Sequence, residues 1–450
     1  MTNPYIQTTP EQLKEMLDKV GVDSIDTLFA EQVPAEFEFK GQFDLPPAMS
    51  EAELIRWTTQ LAARNTSTQQ AISFLGGGIY DHFIPAAVGA LANRSEFVTA
   101  YTPYQPEASQ GTLQAFFEFQ TMATRLFAMD VSNASLYDGA SALGEALFLA
   151  LQVRPERRVV LLPSTLHPDY AALAQTYMRH FDIELVTIPA TEDGQLDLDA
   201  LAARAGEAAA VVLQTPNYLG IIEQAHEVSR IAHEADALLI AVCDPISLGL
   251  LVPPGEYDAD IAVAEGQGLG LRQWLGGETL GLFLCRKDFV RRMPGRLVGL
   301  AKDREGRRGF VLTLQTREQH IRRDRATSNI CTNHAHNALR ATIFMALMGP
   351  QGLRYLARRC VRNTQKLRNA IASHKPEAIV FGGPVFKEFV VRTAGPAAAV
   401  RDALLAEGFL AGIPLQCLGA QFENMMLVCA TDQRTDDEIT AFSKALLPHL

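Results

Sequence analysis

Several things are scarce in this chain of 450 residues. Its six cysteines, Cys243, Cys285, Cys331, Cys360, Cys417 and Cys429, contain no C-x-x-C pair, so neither a disulfide framework nor a zinc ribbon is indicated and reduced, buried thiols are expected. No apolar run approaches the ~20 residues that cross a bilayer; the longest lies at 237–243. The N-terminus carries no basic-then-apolar leader, which makes a cytoplasmic location the expectation. Positive charge is in deficit, 40 Lys and Arg against 51 Asp and Glu for a net charge of −11. Such a surface repels polyanions on average, so nucleic acid and membrane are not expected as partners. A Walker sequence is absent, and Gly266-Gln267-Gly268-Leu269-Gly270 lacks the third-glycine spacing of a dinucleotide fingerprint.

What is present reads as a globular α/β protein, with 48% apolar and 20% charged residues. Thr9-Pro10-Glu11-Gln12 and Ser50-Glu51-Ala52-Glu53 are helix starts of the reciprocal capping type, and an extended connector is expected between them at 34–47. Apolar residues recur at helical spacing after each start (Leu13, Met16, Leu17 and Val20; Leu54, Trp57 and Leu61), so each helix has one face to bury. Beyond residue 70, short apolar runs at 159–162, 183–188, 211–214, 238–243, 260–264 and 282–285 alternate with helix-length amphipathic segments. Several runs have no polar alternation, the mark of strands covered on both faces in a mostly parallel sheet. After residue 330 the order changes to helices at 334–348 and 351–373, strands at 378–381 and 386–392, a helix at 396–406, a strand at 425–430 and a helix at 436–447. The expected organisation is an N-terminal helical arm over 1–69, a large α/β domain over 70–329 and a small α+β domain over 330–450.

Four places could bind a charged ligand. Gly76-Gly77-Gly78 is the densest glycine cluster, either a tight turn or a loop whose amides approach an anion. Asp138-Gly139-Ala140-Ser141 opens a helix, as an ordinary cap or as a phosphate cup. His167 follows the 159–162 strand, where a ring can cover a cofactor, although a loop histidine is simpler. Asp244 ends the 238–243 strand at the edge where ligands of open α/β sheets gather, and a carboxylate there can hold a protonated ring nitrogen. An enzyme using pyridoxal phosphate would then need a lysine roughly twenty to thirty residues onward to bind the aldehyde. None exists: the first lysine after Asp244 is Lys287. His334 and His336, two apart on a helix, point away from each other, and no metal site is expected. The stretch 286–325 holds thirteen Lys or Arg against five Asp or Glu, which suits either an acidic partner or a locally balanced surface.

Five stretches together carry a family resemblance: Phe74-Leu75-Gly76-Gly77-Gly78-Ile79-Tyr80-Asp81-His82, Tyr101-Thr102-Pro103-Tyr104-Gln105-Pro106-Glu107, Ser109-Gln110-Gly111, Tyr137-Asp138-Gly139-Ala140-Ser141-Ala142 and Ala326-Thr327-Ser328-Asn329-Ile330-Cys331-Thr332-Asn333. Over essentially the full chain, the sequence resembles the first-subunit family of glycine dehydrogenase (decarboxylating), the N-terminal half of the glycine cleavage system P-protein where that enzyme is split in two. The resemblance implies a type I pyridoxal-phosphate-dependent transferase fold. It also implies a partner, subunit 2, that carries pyridoxal phosphate and its lysine, while this chain has lost the lysine near Gln267. Ser141, His167, Asp244 and Gln267 would be the vestigial cofactor-pocket positions. Together the subunits would decarboxylate glycine and pass the aminomethyl group to the lipoyl group of H-protein, in an assembly of two copies of each subunit. No residue of this chain alone would be catalytic; Tyr101, Tyr104, Gln105, Glu107 and Gln110 would face the partner's site. The alternative is a self-sufficient pyridoxal-phosphate lyase or aminotransferase.

Overall fold

The structure, a computed structural model, describes residues 5–99, 101–273, 277–315, 319–326, 330 and 332–450. Contacts divide the chain into Met1–Thr66 and Ser67–Leu450. The first unit holds helices Pro10–Val20, Ile25–Gln32 and Glu51–Ala62. Thr9 and Ser50 form the expected capping boxes with Gln12 and Glu53. The middle helix is an addition: the hydroxyl of Ser24 accepts from the Thr27 amide, a cap signal that sequence reading passed over. Within this unit no described residue is buried, and Phe29, Phe37, Phe43 and Trp57 are exposed.

Strands of the second unit are, in chain order, β1 (Ile72–Ser73), β2 (Val131–Ser132), β3 (Val159–Pro163), β4 (Glu184–Ile188), β5 (Ala208–Thr215), β6 (Leu238–Cys243), β7 (Ile261–Glu265), β8 (Gly281–Cys285), β9 (Leu297–Lys302), β10 (Arg308–Thr313), β11 (Glu388–Arg392), β12 (Phe409–Leu410), β13 (Ile413–Pro414) and β14 (Met425–Cys429). Seven of them form the main sheet in the order β2-β8-β7-β6-β5-β3-β4. The run from β4 through β7 is parallel, and β8 is antiparallel to both neighbours. Register explains the apolar runs: Val212, Ile240 and Ile261 stand in one cross-strand row packed on one face, and Leu213, Ala241 and Ala262, one residue on, pack on the other. A sheet buried on both faces needs no polar alternation, and the expected mostly parallel sheet is what the chain forms.

The C-terminal part packs a three-stranded antiparallel sheet, β11-β14-β13, under helices Ala397–Ala406 and Asp436–Leu446. There Phe74 stacks on Phe442 with ring centroids 3.8 Å apart. The expected helices at 334–348 and 351–373 form as Ala335–Ala372, broken at Gly349 (φ 59°) before Pro350. Residues 378–381 do not form the expected strand. Pro376 starts a single 3-10 turn over Pro376–Ala378, and only Ile379 then bridges to Val391. No helix among the described residues is long and apolar enough to cross a membrane.

Candidate functional site

Chain order reverses between β3 and β5, because β3 leads outward to β4 on one side and the later strands continue on the other. Such reversals open a crevice at the carboxyl ends of the strands. The residues that follow β3, β5, β6 and β7 meet there: His167, Asn217 with Tyr218, Asp244, and Glu265 at the last position of β7. Across them lie Gly77, Gly78, Tyr80 and Glu388. The cavity they leave measures about 40 Å³, room for a few waters, whereas sites for small organic ligands run to roughly 300–1,000 Å³.

Charge is concentrated and buried around this crevice. Lys387, just before β11, places its ammonium 2.8 Å from Asp244 Oδ2, an electrostatic contact without hydrogen-bond geometry. The same ammonium lies 3.1 Å from the centroid of the Tyr80 ring and donates to His82 Nε2 at 3.1 Å. His82 Nδ1–H in turn donates to Asp432 at 2.5 Å. An unbroken series therefore runs carboxylate, imidazole, ammonium, carboxylate. Burial works most strongly against the charge of Lys387, but Asp244 together with the Cys429 and Cys360 thiols outweighs it and holds the amine above its ordinary range. Next along the chain, Glu388 accepts from the Gly77 amide at 2.6 Å and from the Tyr80 hydroxyl at 2.8 Å. The approach is close because Gly76 has no Cβ, which would collide with the Glu388 carboxylate, and because Gly77 (φ 70°) turns its amide inward. Burial raises the Glu388 carboxyl, with the Gly77 amide opposing it.

Helix Gly139–Val153 points its N-terminus at the same edge. Asp138 caps it, accepting from the Ser141 amide at 2.7 Å, and Ser141 Oγ is spent on the same cap. The Gly139 amide donates to Glu265 at 3.1 Å, and Glu265 also accepts from the amides of Gln267 and Leu280. Burial pushes the Glu265 carboxyl up to about 8, with the Leu280 and Gly139 amides pulling the other way. The Tyr170 hydroxyl closes over Gly139 where a Cβ would stand.

Three of the four expected pocket positions, His167, Asp244 and Ser141, stand at this one sheet edge or at the helix start beside it. His167 accepts the Asp169 amide at Nδ1, which leaves Nε2–H to donate to the Gly77 carbonyl at 2.8 Å; burial lowers its pKa. Gln267, fully buried, clamps a loop: it accepts from the Tyr80 amide and donates to the carbonyls of Tyr80 and Leu271. Elsewhere, Tyr101, Tyr104, Gln105 and Glu107 are exposed, with Tyr104 accepting from Arg296 at 3.3 Å. The Gln110 amide bonds both backbone groups of Phe310, on β10. His334 and His336 bond the carbonyls of Thr279 and Ala92. His82, Cys360 and Asp432 lie close enough to share a metal ion, but both imidazole nitrogens are already engaged, by Asp432 and Lys387. Residues 327–329 and 331 of the fifth motif, and Arg317 of the basic stretch, lie outside the described residues.

Lys387, Glu388, Glu265, His82 and Asp432 were missed in the sequence. One signal was available: Lys387 and Glu388 are two adjacent charges inside the apolar run Val385-Phe386-Lys387-Glu388-Phe389-Val390, and buried charges have partners.

The sheet order and the crevice define a class first. Glutamate decarboxylase of Lactobacillus brevis CGMCC 1306 superposes with a TM-score of 0.68 over 92% of this chain and 96% of its own at 11% identity, a likeness of fold. The fold is that of type I pyridoxal-phosphate-dependent enzymes. A profile of the glycine cleavage system P-protein matches residues 3–446. The protein "Probable glycine dehydrogenase (decarboxylating) subunit 1" of Chlorobium chlorochromatii (strain CaD3) is 46% identical over 444 residues, 98% of this chain and 99% of that one. A crystal structure of glycine decarboxylase (P-protein) of the glycine cleavage system, in inhibitor-bound form, superposes with a TM-score of 0.92 at 42% identity over the whole of both chains. The chain belongs to the glycine cleavage system P-protein family, and it is a P-protein subunit. These relatives do not favour the self-sufficient lyase or aminotransferase.

Pyridoxal phosphate is associated with this fold, yet the residues of this crevice do not fit it. The carboxylate suited to a ring nitrogen is paired with Lys387, the helix start suited to a phosphate faces Asp138 and Glu265, position 267 is glutamine, and the remaining volume is too small for a pyridine ring.

Proposed function

We propose that this chain is the non-cofactor-binding subunit of the decarboxylating enzyme, working with a second subunit that carries pyridoxal phosphate and its lysine. Glycine is decarboxylated at the partner's site and its aminomethyl group passes to the lipoyl group of H-protein, in a cytoplasmic assembly with two copies of each subunit. The observation that carries the reading is the pairing of Lys387 with Asp244 at 2.8 Å, in a chain with no lysine between Asp244 and Lys287. Bound to the partner, the cofactor would supply an electron sink for the pair left on the glycine α-carbon when the carboxylate departs as CO2.

The contribution of this chain lies at the subunit boundary. The stretch from Tyr101 through Gln110 closes the mouth of the partner's site, excludes water and receives the lipoyl carrier. Tyr101, Tyr104, Gln105 and Glu107 are exposed where those contacts would form, and Gln110 fixes the base of the stretch to β10. Ser141, His167, Asp244 and Gln267 have become structural. The test is glycine-dependent CO2 exchange by the purified chain, with and without subunit 2 and lipoylated H-protein. Activity is expected only from the full mixture, and borohydride reduction followed by peptide mapping is expected to place the pyridoxyl-lysine on subunit 2. Turnover by this chain alone, with an adduct on one of its own lysines, would overturn the reading.

A further inference from the structure

On the reading that this subunit holds no cofactor, the missing lysine accounts for the lack of a covalent bond to an aldehyde but not for the exclusion of a phosphorylated ring that needs none. Each device in the crevice that could hold a charged ligand is answered by a group of the chain itself. Asp244, at the end of β6, faces the Lys387 ammonium at 2.8 Å. The N-terminus of the 15-residue helix Gly139–Val153 meets Glu265 through the Gly139 amide. The glycine loop, whose amides could approach an anion, has its Gly77 amide on Glu388. A cation stands on the carboxylate, and carboxyl groups accept from the amides. Successive residues Lys387 and Glu388 deliver two of the three groups, and Tyr80 ties them together through its ring face and its hydroxyl.

We infer that Lys387 stands in for the ring cation of a pyridoxal-type ligand and the Glu265 carboxyl takes up the amides a phosphate would use, so that the crevice is plugged by the chain's own groups rather than merely stripped of its lysine. The inference rests on the reading that this subunit holds no cofactor and adds how binding is prevented. A ligand would have to displace a buried ammonium from the Asp244 carboxylate and a carboxyl group from three amides, and each displaced group would be left without its partner. Restoring a lysine at position 267 would remove neither obstacle.

The test uses pyridoxine 5′-phosphate, which carries the ring nitrogen and the phosphate but no aldehyde, in equilibrium dialysis and thermal-shift measurements on the full-length chain. Wild type and Gln267→Lys are expected to show no saturable binding below roughly 1 mM. The double variant Glu265→Ala/Lys387→Ala, folded by circular dichroism, is expected to bind one probe per chain at least tenfold more tightly and to gain thermal stability from it. Saturable one-per-chain binding by wild type would overturn the inference, as would a folded double variant that binds no better than wild type. Should the double variant not fold, Glu265→Ala and Lys387→Ala are measured singly. At least one must then bind tenfold more tightly than wild type, or the inference fails. Binding by wild type without a lysine adduct or turnover sinks this inference and leaves the proposed function standing, whereas an adduct on this chain accompanied by turnover sinks the proposed function.

Discussion

The crevice at the sheet edge and the stretch from Tyr101 to Glu107 treat polar groups in opposite ways. In the crevice, Lys387, Glu388, Asp432 and His82 are buried, and each has a partner within the chain. In the stretch, Tyr101 is 85% exposed and Gln105 and Glu107 face solvent. A group matched inside the chain contributes to stability and is closed to ligands; an exposed group contributes little to stability and stays available to a partner. Stability and function should therefore separate between the two regions.

The largest effect is expected from Lys387→Ala. Removing one partner of a buried ion pair typically costs about 3–5 kcal/mol, because the other charge stays buried without compensation. Here the loss leaves Asp244 facing an empty volume and takes the donor from His82. Urea denaturation should show a midpoint shift of that size at unchanged slope. A change below about 1 kcal/mol would mean that the buried series contributes little, and the contrast with the exposed stretch would collapse. The pair can also be isolated from its surroundings. Asp244→Asn combined with Lys387→Met removes both charges, so its loss should fall short of the sum of the single losses by about 0.5–3 kcal/mol, the range for residues in direct contact. Strict additivity would show that Lys387 acts through Tyr80 and His82 and not through Asp244.

Next in size is a pH effect. The folded-state pKa of Glu265 is raised from 4.5 to about 8, so between those values the folded chain holds a proton that the unfolded chain has released. The stability this group contributes is fully present below pH 4.5 and is lost as pH rises through 8. Glu265→Gln, which cannot titrate, should flatten that part of the stability profile. An unchanged profile between pH 5 and about 8 would mean that the three amides hold Glu265 ionised throughout.

How much of this was legible in the sequence follows from the range of each signal. The capping boxes at Thr9 and Ser50 and the β3 to β8 strands could be read because caps act within four residues and burial of both sheet faces marks each strand separately. Asp244, His167 and Ser141 were legible as positions because strand ends and helix starts are local, and parallel strands deliver their ends to one edge. Their partners were not. Lys387 lies 143 residues after Asp244 and Glu388 lies 311 after Gly77, so the pairing depends on how the antiparallel sheet packs against the crevice, which no local pattern encodes. The glycine loop shows the same limit: its glycines allow a tight turn or an approach of its amides to a ligand, and only the distant Glu388 carboxyl, which the Gly77 amide meets at 2.6 Å, shows which group stands there.

The smallest effect on stability, and the sharpest test of the contrast, is expected at Tyr101. Its ring is exposed, so little apolar area is removed from water by folding and Tyr101→Ala should change stability by no more than about 0.5 kcal/mol. If the stretch closes the partner's site, the same substitution should lower glycine-dependent CO2 exchange by the reconstituted subunits while the isolated chain unfolds as wild type does. Glu107→Gln, which is exposed and keeps its shape, should act in the same direction and more weakly, because only a charge is removed. Tyr104 offers an internal control. Its hydroxyl accepts from Arg296 at 3.3 Å and its ring lies 5.4 Å from that guanidinium, so Tyr104→Phe should keep the ring contact and lose the hydrogen bond, at a cost of about 0.5–1.5 kcal/mol at most. Full exchange activity in Tyr101→Ala and Glu107→Gln would place the function of this face elsewhere, and a large stability loss in either would show that exposure in the single chain is a poor guide to which groups are held for a partner.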